Sequence, residues 1–159
     1  MTHLYIDAEW HTSGNIYLLG YAYSLKKFHY ATWLDWNRLA DIIAPVDGIV
    51  FCYGPDVGVL YRQTHLDIRR FRNVVNMLPT VRHLLPGLPD YKLATVEHYL
   101  GIKRTTPQYK TNHRDISRHF YNPAMHQQVI SYNREDVHNL IRIKRKLNLS
   151  TDQWMRWAK

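Results

Sequence analysis

A single cysteine, Cys52, occurs among the 159 residues, so no disulfide can form within the chain. That usage suits a reducing compartment, and the expectation is a cytoplasmic, intracellular protein. Cys52 lies in the run Gly48-Ile49-Val50-Phe51-Cys52-Tyr53 with no activating partner beside it. It reads as a small buried hydrophobe rather than a nucleophile. No run of about 18 apolar residues is present, which argues against a membrane span. The first residues enter a polar, acidic strand directly, without the pattern of a signal peptide. Internal repeats and low-complexity tracts are absent, and no linker marks a boundary. The reading is therefore one domain over residues 1–149, followed by a short basic aromatic C-terminal helix or tail over 150–159.

Acidic residues are also scarce. Asp and Glu total 13 against 21 Lys and Arg, for a formal charge of +8 and a pI of about 9.6. A basic balance favours a polyanionic partner, most simply nucleic acid. Scarcity makes the placement of the few acids informative.

The stretch Leu4-Tyr5-Ile6-Asp7-Ala8-Glu9-Trp10 alternates apolar and polar residues, as a strand does. Residues two apart on a strand share a face, so Asp7 and Glu9 project side by side. Such carboxylates repel each other and are costly to desolvate, unless a hard divalent cation lies between them. The competing reading is a solvated strand end.

Further strands are read over residues 16–23, 28–32 and 49–53, the last apolar throughout and so buried on both faces. Helices are read over 34–44, from the Gly54-Pro55-Asp56-Val57 start to 64, around 80–85, over 93–100 with Gly101 as its stop, over 115–121, and from Asn122-Pro123 to 147. Residues 69–76 are basic and strand-like, and 102–112 read as an exposed basic loop. Ser150 caps a final short helix. Strands first, then alternating helices and strand, indicate an α/β layered domain.

Asp56 follows the end of a buried strand, where sites collect in α/β sheets, although an acid also suits a helix's first turn. On the last long helix, Tyr132 and Asp136 are four apart and share a face. Val129, Val137, Leu140, Ile141 and Leu147 mark its packed side, so Asp136 can meet Asp7 and Glu9. Glu135 reads as solvated helix surface.

Asp-x-Glu on the first strand, an Asp after a later strand and Tyr-x-x-x-Asp on a C-terminal helix together resemble the DEDD superfamily. These are the DnaQ-like 3′–5′ exonucleases of ribonuclease H-like fold, here in the tyrosine-bearing DEDDy subclass. The segments Tyr91-Lys92-Leu93-Ala94-Thr95-Val96-Glu97-His98-Tyr99-Leu100-Gly101-Ile102-Lys103-Arg104 and Tyr132-Asn133-Arg134-Glu135-Asp136-Val137 resemble the YprB-type branch. The resemblance implies a mixed central sheet with three antiparallel N-terminal strands, flanked by helices. It implies that Asp7 bridges two magnesium or manganese ions, that Glu9 and Asp136 complete one site, that Asp56 holds the second ion, and that Tyr132 orients the attacking water. Two cations about 3.5–4 Å apart stabilise both the entering and the leaving oxygen of an in-line phosphoryl displacement. Tyr53-Gly54-Pro55-Asp56 is shorter than the family's Asn-Gly-x-x-Phe-Asp, and Trp10 stands where relatives commonly carry Thr.

The expected partner is single-stranded DNA or RNA, and the sequence fixes no oligomeric state. Trp10 is a candidate contact, as are Arg104, Lys110, Arg142 and Arg145 of the basic clusters at 103–114 and 142–146, and a further basic cluster lies at 69–72. Trp10 either stacks on a terminal base or fills core, the favoured reading given the area a Trp buries. Tyr109, Trp154 and Trp157 interleave rings with charge, which suits stacking, although the tail can equally dock on the core or a partner chain. His113, His119 and His126 lack the spacing of a zinc site. The alternative functions are a catalytically weak or inactive nucleic-acid-binding module, a structure-selective endonuclease of the same fold, and a basic adaptor anchored by Trp154 and Trp157.

Overall fold

A computed structural model describes residues 1–106, 109 and 114–158. The chain opens with a meander of β1 (Leu4–Trp10), β2 (Ile16–Ser24) and β3 (Lys27–Ala31). Both pairings are antiparallel, and Asp7 lies opposite Gly20. Helix α1 (Trp36–Ile43) starts at Asp35, whose carboxylate accepts the Arg38 N–H at 2.8 Å. Strand β4 (Ile49–Cys52) runs parallel to β1, α2 (Asp56–Thr64) crosses over, and β5 (Asn73–Asn76) runs parallel to β4. Four helices follow before the tail: α3 (Met77–Leu84), α4 (Leu93–Tyr99), α5 (Arg114–Phe120) and the long α6 (His126–Leu147). The last is α7 (Thr151–Met155), which begins with a capping box of Ser150 and Gln153.

The sheet order is β3-β2-β1-β4-β5. This is the mixed sheet with three antiparallel N-terminal strands and flanking helices that the sequence leads one to expect. Every residue of β4 is buried, because apolar layers cover both faces. One layer joins Leu4, Ile6 and Ala8 to Leu39, Ile42 and Ile43 of α1 and to Val59 and Leu60 of α2. The other joins Tyr5, Phe51 and Val75 to Val137, Leu140 and Ile141 of α6 and to Trp154 of α7. Trp154 meets the Phe51 ring edge-on at 5.3 Å, so the tail helix docks on the core. Cys52 is buried, and burial pushes its thiol up.

Three boundaries differ from the sequence reading, each for a local reason. Residues 69–76 divide into a 3₁₀ turn, Ile68–Arg70, capped by Asp67, and the strand β5. Helix α3 starts sooner than residue 80 because the Asn76 side chain accepts the Leu78 N–H, and Pro79 falls in the first turn, where an N–H has no helical partner. Pro123 does not open α6. The Asn122 carboxamide accepts the Ala124 N–H at 3.0 Å, and its carbonyl accepts from Met125 and His126, closing a turn before the helix begins. Among the described residues no helix is long and apolar enough to cross a membrane.

Candidate active site

Strand alternation sends Leu4, Ile6 and Ala8 into the α1–α2 layer, which leaves Asp7 and Glu9 on the face covered by α6. Helix α6 lies across β1 and β2 and turns Tyr132, Asn133 and Asp136 toward them. The buried Asn133 amide donates to the Asp7 carboxylate at 2.7 Å and to the Asp7 carbonyl at 3.2 Å. Gly20 makes this approach possible. A Cβ there would stand 1.8 Å from Asn133 Oδ1 and 2.9 Å from the Phe28 ring. The register that sets Gly20 opposite Asp7 therefore clears the space in which strand and helix meet.

Asp7, Glu9 and Asp136 each offer an oxygen, and the three oxygens lie within 4.8 Å of one another. Asp56, the first residue of α2, is buried just past the C-terminal end of β4. All four acids line one open cavity of about 490 Å³, together with Trp10 and Tyr132. Burial raises the Asp7 and Glu9 carboxyls well above the ordinary range, and repulsion from Asp136 and the other acids adds to it. Burial also lifts Asp56 to about 7 against hydrogen bonds from the Tyr53 and Ala8 backbone, and Asp56 Oδ2 is buried with no hydrogen-bond partner. Asp136 is lifted to about 7 by burial, opposed by Arg104. Four acids made costly to ionise, one with an unpaired buried oxygen, fit a hard divalent cation. All-oxygen ligands suit magnesium or manganese better than a soft metal. The bulge between Glu9 and Trp10 leaves Trp10 half-buried on the apolar layer, with part of it at the cavity wall.

Arg104 is not part of an exposed basic loop. Its side chain is 8% exposed and forks between Glu97 and Asp136, with Nη2 donating to Glu97 Oε1 at 2.8 Å. Asn139 donates to the same Glu97 oxygen at 3.0 Å. The guanidinium also lies 5.5 Å from the centre of the Tyr132 ring. The guanidinium is thus turned inward and not toward solvent, with Nη1 buried and without a partner among the described residues. Glu135 is likewise not on solvated surface. It is buried and accepts the Thr105 and Thr106 N–H groups at 2.5 and 2.9 Å, pinning the segment that carries Arg104. Burial opposes the charge on Glu135, but hydrogen bonds from Thr106 and Thr105 hold its carboxyl below the ordinary range.

Tyr132 is buried and lines the cavity with Asp136. Tyr109, read as a stacking residue, is instead core. Its ring packs 5.2 Å from Tyr132, and its hydroxyl pairs with His119 at 2.8 Å. Arg145 is exposed, Arg142 is half-buried, and Lys110 lies outside the described residues, as does His113.

The sequence model of the RNase_H superfamily matches residues 4–148. The chain belongs to the RNase_H superfamily. No curated protein matches it. Among solved structures it is similar to "Exonuclease X in complex with 5' overhanging duplex DNA", with a TM-score of 0.56 and 12% identity over 97% of this chain and 98% of that one. At that identity the likeness is one of fold.

In this RNase_H superfamily chain, reading for acids and rings passed over several residues at the site. Asn133 and Gly20 carry no charge, and nothing along the chain pairs them. Glu97 sits four residues before Gly101, a spacing that announces a helix end and not a buried ion pair. His11 joins the cavity wall, with Nε2 3.0 Å from the Tyr121 hydroxyl and Nδ1 3.2 Å from the Ser117 hydroxyl. It thereby ties the β1–β2 turn to α5. Its position directly after Trp10 was the one available signal.

Proposed function

We propose that the protein is a divalent-metal-dependent nuclease that hydrolyses phosphodiester bonds of single-stranded nucleic acid, and that it works as a 3′–5′ exonuclease of the tyrosine-bearing DEDD subclass. The observation that carries this reading is the convergence of Asp7, Glu9 and Asp136 within 4.8 Å at an open cavity that Asp56 also lines. In the proposal Asp7, Glu9, Asp56 and Asp136 would hold two magnesium or manganese ions. Bound there, the ions would polarise the phosphate and offset charge on the entering and leaving oxygens. The chain's own groups do the rest. Asn133 holds Asp7 in one orientation. Tyr132, packed by its ring against Tyr109 and Arg104, presents a hydroxyl that can orient a water at the cavity wall. Trp10 offers a ring face beside the acids for a terminal base.

End-labelled single strands of DNA and RNA, incubated with magnesium or manganese, test the proposal. A ladder of shortening products from the 3′ end is expected, abolished by chelation and reduced at least 10³-fold in Asp7→Asn and Asp136→Asn. Robust cleavage by either variant would overturn the site assignment, and cuts within a circular strand would favour an endonuclease. A second reading has one observation behind it: Arg104 already pairs with Asp136, as a resident cation in a non-catalytic binding module would. Strand binding without cleavage under either metal would favour that reading.

A further inference from the structure

On the side of α6 turned away from Asp136 lies a second groove of about 550 Å³. Lys26 and Lys27 of the β2–β3 turn, Lys103, and Arg134 and Arg142 of α6 line it. The acid in its lining is Glu135, whose oxygens are taken up by the backbone and hydroxyl groups of Thr105 and Thr106. Lys26, Lys27, Lys103 and Arg134 are exposed, and none has an ion-pair partner among the described residues. Other arginines are already engaged. Arg69 pairs with Asp67, Arg118 pairs with Asp115, and Arg72 donates to the Ile43 and Ala44 carbonyls. Five cations against the single carboxylate of Glu135 leave the groove with net positive charge, and concavity focuses such a field.

We propose that this groove binds the sugar-phosphate backbone of the same nucleic-acid strand whose end enters the acidic cavity. The proposal rests on the nuclease reading for the identity of the strand. Three features support it. Arg134, His138 and Arg142 recur every four residues, so they form one row along the helix at about 6 Å per step. Arg134 is two residues before Asp136, about 3 Å along the axis and on the opposite side of the helix, so the row is level with the acids and a strand reaches it by passing round α6. Lys and Arg contacts to phosphate oxygens carry no base preference, as a strand-tracking surface requires.

The test is fluorescence anisotropy on the full chain, in chelator so that nothing is cut, with labelled single strands of about 20 and about 4 nucleotides. The variant Lys26→Gln/Lys27→Gln/Arg134→Gln replaces three exposed side chains. A charge-matched control, Arg38→Gln/Arg62→Gln/Arg82→Gln, changes exposed positions elsewhere. The groove variant should bind the long strand at least tenfold more weakly. Its log K against log salt slope should fall by about 2, from about 0.7 per phosphate contact on a single strand. The short strand, and the control on either strand, should shift less than threefold. Unchanged long-strand affinity, or an equal loss in the control, would overturn the groove. Groove-dependent binding by a protein that cleaves nothing with manganese would overturn the nuclease reading and leave the groove standing.

Discussion

The amide of Asn133 ties α6 to β1 at the place where charge is most crowded. It donates a hydrogen bond to Asp7 Oδ2 and so fixes that carboxylate. Asn133→Ala should weaken manganese binding by about 10- to 100-fold, since groups that orient a metal ligand matter on that scale. A manganese titration checks this, and a change below twofold would contradict it. Arg104 poses a different demand. Its removal in Arg104→Met leaves Glu97 buried without a counter-charge, with only the Asn139 amide on it, at a cost of about 3–5 kcal/mol in urea unfolding. The acids themselves were readable residue by residue, because Asp-x-Glu and Tyr-x-x-x-Asp obey the strand and helix periods. The inward turn of Arg104 was not readable, because basic residues near a nuclease-like motif look alike whether they face phosphate or a buried Glu.

Each element depends on one tight approach or one anchor. On β2 that place is Gly20, where an added methyl would meet Asn133 and Phe28. Gly20→Ala should push α6 off the sheet and destabilise the chain by about 1–3 kcal/mol, the usual cost of overpacking. Thermal unfolding would show it, and an unchanged midpoint would mean the helix gives way freely. On α7 the anchor is Trp154, fully buried against Phe51. Trp154→Ala should cost about 3–5 kcal/mol. Most elements were legible because strand alternation and Gly101 punctuate the chain plainly. The start of α6 was misplaced because an Asn-Pro pair serves a turn as well as a helix cap, and the choice rests on hydrogen bonds within three residues. The 3₁₀ turn at Ile68–Arg70 was missed because three basic and β-branched residues carry no helical period.

For the molecule as a whole, the acidic cluster links stability to pH and to metal. Asp56 and Asp136 have carboxyls lifted to about 7 in the fold, against an ordinary value of 3.8. The folded state then keeps protons that the unfolded chain releases between about pH 4 and 7, so metal-free stability falls as pH rises through that window. Scanning calorimetry in chelator should show the midpoint dropping over this range, while saturating manganese restores it most at the high end. A metal-free midpoint that rises from pH 5 to 7 would contradict this. The fold of an RNase_H superfamily member could be anticipated from the strand order, but the groove beside α6 could not, since Lys26, Lys27, Lys103 and Arg134 converge only in three dimensions. The most direct measurement of all is the anomalous difference map of crystals soaked in manganese. Two peaks held by Asp7, Glu9, Asp56 and Asp136 are predicted. A map with no peak at those four carboxylates would contradict the account.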